Sequence, residues 1–252
     1  MKARYFAAAA AVVLASGATL AQAAGAIPAN IAAAVASPSR PDADKARDEA
    51  RKPAEVLAFA GVKPGEQVLE LIPGGGYFTR VLSGAVGPSG HVTEAVPQVG
   101  GGDMSKNSNG VAADPHFGNV TEVAFTPDML GKTPGQYDLI WTSQNYHDLH
   151  LPRLSLDVPG LDKQIFAALK PGGEFFIEDH AAAPGADVVT TADTLHRIDE
   201  AAVKKEVEAA GFEFVGESPV LHNPADDHTL KVFDPAIRGH TDQFLLKFRK
   251  PA

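Results

Sequence analysis

Short apolar runs bounded by Gly, Pro and Asp alternate along this chain with longer stretches whose apolar positions recur at helical spacing. Gln67 to Ile72, His91 to Val96, Asn119 to Phe125, Tyr137 to Thr142 and Glu174 to Glu178 read as strands. Phe212 to Val215 and Gln243 to Phe248 alternate apolar and polar and read as two closing strands. Between them, Tyr77 to Val86, Leu161 to Leu169 and Asp199 to Ala210 read as helices. Lys170-Pro171-Gly172-Gly173 stops the second, Gly211 ends the third, and Asp199 is placed to cap it. Strand, helix and strand within about 30 residues form a βαβ unit, which implies a parallel pair and a right-handed crossover. The repeated order predicts a doubly wound α/β sheet with its ligand at the C-terminal strand ends.

Ahead of this pattern, Ala24 to Arg40 is an alanine-rich lead-in broken by Pro28 and Pro38. Asp42 can cap a helix through Lys52, and Pro53 opens a second one that ends near Gly61. Arg51, Lys52 and Glu55 read as the solvated face of that region rather than as a lid. Pro97 to Gly118, rich in Gly, Asn, Asp and Ser, reads as a long loop.

The first residues stand outside the fold. Lys2 and Arg4 precede an apolar run from Tyr5 to Leu20, and Ala21-Gln22-Ala23 offers small residues where a signal peptidase reads them. The expected organisation is a signal peptide over 1–23, a lead-in and helix over 24–52, and one domain over 53–252. The expected location is the periplasm after cleavage near Ala23. The run is short and lacks a basic stop-transfer flank, so a stable membrane anchor is not expected. The chain of 252 residues carries a formal charge of −9 and shows no basic stripe, so nucleic acid is not an expected partner. It has no cysteine, which removes disulfides, thiolate metal sites and cysteine nucleophiles. The oligomeric state is not legible.

The chain is organised around Val68 to Arg80, VLELIPGGGYFTR, where a strand meets three consecutive glycines and then a helix. Such a turn lets backbone approach a ligand closely. PGGGYF does not fit G-x-G-x-x-G and lacks the G-K-[ST] of a phosphate loop. A ligand with little phosphate remains.

VLELIPGGGYFTRVLSGAVGPSGHV resembles the first motif of class I S-adenosylmethionine-dependent methyltransferases. AALKPGGEFFIED, YDLIWTSQNYHDLH and EAAVKKEVEAAGFEFV are similar to later elements of the same superfamily. The pattern as a whole looks like an exported bacterial subgroup of methyltransferases. The resemblance implies a Rossmann-like, mostly parallel seven-stranded sheet, S-adenosylmethionine as cofactor, and methyl transfer to a small-molecule substrate. It places Glu70 near the amino-acid moiety of the cofactor, with Pro73, Gly74, Gly75 and Gly76 in the turn beneath it and Tyr77 covering it. Asn145 and Tyr146 would face the sulfonium. An acid that holds the ribose hydroxyls is expected at the end of the second strand. Val96 stands there instead, with Glu94 two residues earlier.

Three clusters could carry chemistry: His147-Asp148, Asp179-His180 and Asp226-Asp227-His228. The first two follow adjacent strands, so His147 or His180 is the expected base, with Asp148 as orienting partner. Neutral imidazoles with carboxylates also suit a divalent metal, but no ligand spacing such as H-E-x-x-H is present, and no metal is predicted. The alternative left open is a periplasmic metal- or small-molecule-binding protein, or a metal-assisted enzyme, on the same fold without methyl transfer. Arg197 reads as a surface ion-pair partner, and Trp141 as core.

Overall fold

The structure, a computed structural model, describes residues 26–97, 108–126 and 128–252. The expected signal peptide and residues 98–107 of the loop after Pro97 lie outside the described residues. Seven strands form one sheet in the order β3-β2-β1-β4-β5-β7-β6. They are β1 (Gln67–Leu71), β2 (His91–Pro97), β3 (Val120–Phe125), β4 (Tyr137–Ser143), β5 (Leu169–His180), β6 (Glu213–Ser218) and β7 (Gln243–Arg249). β1 to β5 pair in parallel, and β7 runs antiparallel between β5 and β6.

Strand alternation divides the core between the two sheet faces. Leu69 and Leu71 of β1 pack with α6 (Val158–Ala168) and α8 (Glu200–Ala209). Val68, Leu139 and Trp141 pack with α4 (Pro53–Ala60) and α5 (Tyr77–Val86). Trp141 is fully buried, stacked on Phe176 at 4.1 Å. The lead-in belongs to this second layer: α1 (Ala29–Val35) lies so close to α5 that a Cβ on Gly84 would sit 2.9 Å from that of Ala34.

Two local expectations change. The helix expected over 42–52 is broken into α2 (Asp42–Lys45) and α3 (Asp48–Arg51), and Pro41 rather than Asp42 holds the N-cap position. Tertiary contacts compete with a continuous helix here. Asp44 binds Arg47 and Arg80, while Asp48 receives both nitrogens of the fully buried Arg40 at 2.8 and 2.6 Å. An additional helix, α7 (Val188–Leu195), is capped by Asp187, whose side chain accepts from the Thr190 amide at 2.8 Å. Its Val-Val-Thr-Thr start has weak helix propensity, which hid it in the sequence.

Candidate active site

β1 and β4 are neighbours at the point where the strand order reverses, so the segments leaving their C-terminal ends diverge and open a crevice. Asn145 ties the two segments together by donating from Nδ2 to the Ile72 carbonyl at 2.9 Å. The cavity between them is about 330 Å³. Pro73, Gly74, Gly75, Glu70 and Tyr77 border it from one side, and Asn145, His147, Asp148 and His180 from the other. Gly74 and Gly75 have nothing within 4 Å of an added Cβ, so they present bare backbone to the cavity. Gly76 has another role. Its φ is 74°, and a Cβ there would lie 2.6 Å from Val111, so it admits the 109–111 segment rather than a ligand. Ile72 carries φ of 55°, an unusual conformation for a β-branched residue, at a cost of about 1–3 kcal/mol. It is held there by the hydrogen bond its N–H donates to the Ala95 carbonyl and by the one its own carbonyl accepts from Asn145.

Glu70 is buried and accepts from the Thr79 hydroxyl at 2.6 Å. Burial pushes its carboxyl up to about 8; Thr79 opposes the shift and the neighbouring Glu94 adds to it. Glu94 lies in register with Glu70 and binds Thr79 and Asn109. Val96 is buried and apolar. Neither Glu94 nor Val96 borders the cavity.

Tyr77 is clamped. Its hydroxyl donates to Asp48 at 2.6 Å, and the guanidinium carbons of Arg40, Arg47 and Arg51 lie 5.4, 4.8 and 4.4 Å from its ring centre. Arg47 and Arg51 reach the cavity. Arg51 donates to Ser143 at 3.0 Å and lies 3.8 Å from the buried Glu178, while its Nε has no partner among the described residues. The solvated-face expectation therefore fails for Arg51, whose side chain is only 17% exposed. The chain reversal at Lys52, which has φ of 43°, turns α3 over the glycine turn.

At the opposite end, His147 takes its closest carboxylate from the second His–acid pair. Nδ1 of His147 lies 2.7 Å from Oδ1 of Asp179, and the His147 amide donates to Oδ2 at 2.7 Å. Asp179, rather than Asp148, is the orienting carboxylate: it holds Nδ1, whereas Oδ1 of Asp148 lies on the Nε2 side, at 3.5 Å. Burial opposes charge on both groups. The mutual attraction outweighs it, raising His147 above its ordinary value and lowering Asp179 below its own. Burial takes His180 the other way, down to about 3, and its Nδ1 bonds Thr241 at 2.8 Å. Such a weak base stays neutral at pH 7, so His180 is no proton acceptor there.

Tyr146 departs from its expected place facing the sulfonium. It is fully buried, and its hydroxyl donates to Asp162 at 2.9 Å, on the α6 side of the sheet. Asp226 and His228 also lie away from the cavity. Asp226 pairs with Arg197 at 2.9 Å, both side chains buried, so Arg197 is not a surface residue. Arg197 also donates to the carbonyls of Ala181 and Leu230, which fixes the late loop and brings Val232 and Phe233 to the cavity mouth. His196, at the C-terminal end of α7, completes that wall with its ring 4.9 Å from Phe233. Sequence reasoning placed Asp179 only in a cluster with His180, and gave no site role to His196 or Phe233. The Asp187 cap was the available signal for α7 and hence for His196.

A family model described as a methyltransferase domain matches residues 45–217. No curated protein matches the chain. Among solved structures, a S-adenosylmethionine-dependent methyltransferase from Aquifex aeolicus superposes with a TM-score of 0.59 at 18% identity, covering 84% of this chain and 98% of that one. An arsenic(III) S-adenosylmethionine methyltransferase from Chlamydomonas reinhardtii gives 0.51 at 17% identity, with 89% and 74% covered. Aeropyrum pernix fibrillarin, solved with natively bound S-adenosylmethionine, gives 0.51 at 15%, with 80% and 76% covered. At these identities the structures are similar to this chain in fold.

Proposed function

Because the chain belongs to the methyltransferase-domain family, we propose that it transfers the methyl group of S-adenosylmethionine to a small-molecule acceptor held at the histidine end of the cavity. The observation that carries the reading is the joined pair of loops at the switch point. Bare glycine backbone on one side faces a cluster of polar side chains on the other, across a space of ligand size.

The residues suit the cofactor. When bound, S-adenosylmethionine supplies an electrophilic methyl group on a sulfonium. The Gly74–Gly75 backbone permits close approach, and the Tyr77 ring is fixed beside it by Asp48. Arg47 and the unpartnered Nε of Arg51 offer donors for a carboxylate. Both of Asn145's Nδ2 contacts are to backbone carbonyls, so its Oδ1 is the atom left for the sulfonium. His147 activates the acceptor. Asp179 engages Nδ1 and leaves Nε2 toward the cavity, where it can take the proton the acceptor loses.

We further propose that the chain is exported and cleaved after Ala23, on the strength of the leader sequence. N-terminal sequencing of periplasmic protein checks this; an intact Met1 would refute it.

The test of function is calorimetric titration with S-adenosylmethionine and with its demethylated product. Saturable binding of each at one per chain is expected. Failure of both to bind at millimolar concentration would overturn the reading.

A further inference from the structure

The cavity wall formed by His147, Asp148 and His196 has a second property. Three potential ligand atoms from two different segments converge there. Nε2 of His147 lies 3.3 Å from Nδ1 of His196 and 3.5 Å from Oδ1 of Asp148, and the last two lie 3.6 Å apart. We propose that these three atoms form a divalent-metal site, suited to zinc, whose remaining position opens on the cavity.

The spacing selects the ion. Nitrogen and oxygen ligands bind zinc at about 2.0–2.2 Å, so the edge of a tetrahedral face is about 3.3–3.6 Å. All three measured separations fall in that range. Magnesium, octahedral at about 2.0–2.1 Å, needs cis edges of only about 2.9 Å. Calcium takes oxygen ligands, and two imidazoles do not suit it.

A second, independent observation points the same way. The other nitrogen of His147 is engaged by Asp179, which is fully buried at the end of β5. A carboxylate holding the far N–H fixes the tautomer that leaves Nε2 a lone pair, and it raises ligand basicity; metal-binding histidines are typically backed in this way. Among the described residues this is the group of His, Asp and Glu side chains whose ligand atoms fall within 4.8 Å of one another. The His222–Asp242–His228 cluster differs, because each Asp242 oxygen already serves one histidine, at 2.8 and 2.9 Å.

The inference concerns binding and does not rest on methyl transfer. It adds a ligand to the acceptor end of the cavity and displaces nothing from the glycine turn. A metal there would make His147 a ligand rather than a proton acceptor, with the open position available to a water or an acceptor oxygen.

The experiment uses the chain purified without a histidine tag, stripped with chelator, and titrated with Zn²⁺ calorimetrically and with Co²⁺ by visible absorption. One Zn²⁺ per chain and the absorption bands of four-coordinate Co²⁺ are expected. His196→Gly suits the left-handed backbone at that position, and Asp148→Asn keeps the side-chain shape. Each should weaken Zn²⁺ binding by more than the roughly 10–100-fold that loss of an outer partner costs, and Asp179→Asn should fall within that range. Absence of saturable Zn²⁺ binding, or unchanged affinity in both His196→Gly and Asp148→Asn, would overturn the proposal. Titration of the same zinc-free wild-type chain with S-adenosylmethionine reads the cofactor assignment separately, so either assignment can fail alone.

Discussion

The imidazole of His147 and the carboxylate of Asp179 face each other at 2.7 Å with both side chains buried, although the sequence joins each to a different neighbour. Asp179→Asn removes the charge and puts an NH2 donor in place of one of the two accepting oxygens. The expected loss of methyl transfer is about 10²–10⁴-fold, measured as kcat under saturating cofactor. An unaltered kcat would mean that His147 does not act on the acceptor.

The same pair sets a pH window for stability. His147 is raised, so its contribution is complete below its ordinary value of 6.5 and is lost as pH rises through the folded value. Asp179 is lowered, so its contribution is present above 3.8 and is lost as pH falls through its folded value. Replacing the pair with His147→Gln and Asp179→Asn should therefore lower the unfolding temperature most between pH 4 and 6.5, seen as a convergence of the two melting curves outside that window.

Glu70 acts in the same direction as His147 and opposite to Asp179, because it too holds its proton above the ordinary value. The folded chain holds its proton up to about 8, whereas an unfolded glutamate releases it near 4.5. The unfolded state gains from that release, so stability declines as pH rises from 4.5 to about 8, by an amount on the order of a few kcal/mol. Glu70→Gln should flatten this part of the curve in denaturant titrations at stepped pH. An unchanged slope would show that Glu70 ionises normally.

Gly75 and Gly76 are adjacent but should behave differently. A side chain on Gly75 meets open cavity. Gly75→Val should leave the melting temperature near that of the wild type and weaken S-adenosylmethionine by roughly tenfold or more, about 1.4 kcal/mol. Gly76→Ala meets Val111 from a left-handed backbone and should cost about 1–3 kcal/mol of stability in chemical denaturation.

Arg197 and Asp226 hold the late loop against the sheet edge. Asp226→Ala leaves the fully buried guanidinium without its counter-charge, which should cost about 3–5 kcal/mol. Hydrogen exchange should rise over 226–233 before it rises in the strands. Loss of protection across the whole sheet at once would place the pair in the global core instead.

The sequence by itself determined the sheet and its order of elements, because apolar periodicity and glycine or proline stops are local signals. Tyr77–Val86 was legible to the residue, since the glycines before it and Gly87 after it mark both ends. It also determined the glycine turn and the family likeness. Only the tertiary structure decided which side chains meet. Nδ1 of His147 met Asp179 across the neighbouring strand's end, and Tyr146 turned into the core. Arg51 and His196 reached the cavity through reversals at Lys52 and at His196 itself, both left-handed without glycine. Such backbone states are stabilised by long-range contacts and leave no local mark, so Arg51 and His196 were the parts of the cavity wall that the sequence could not place.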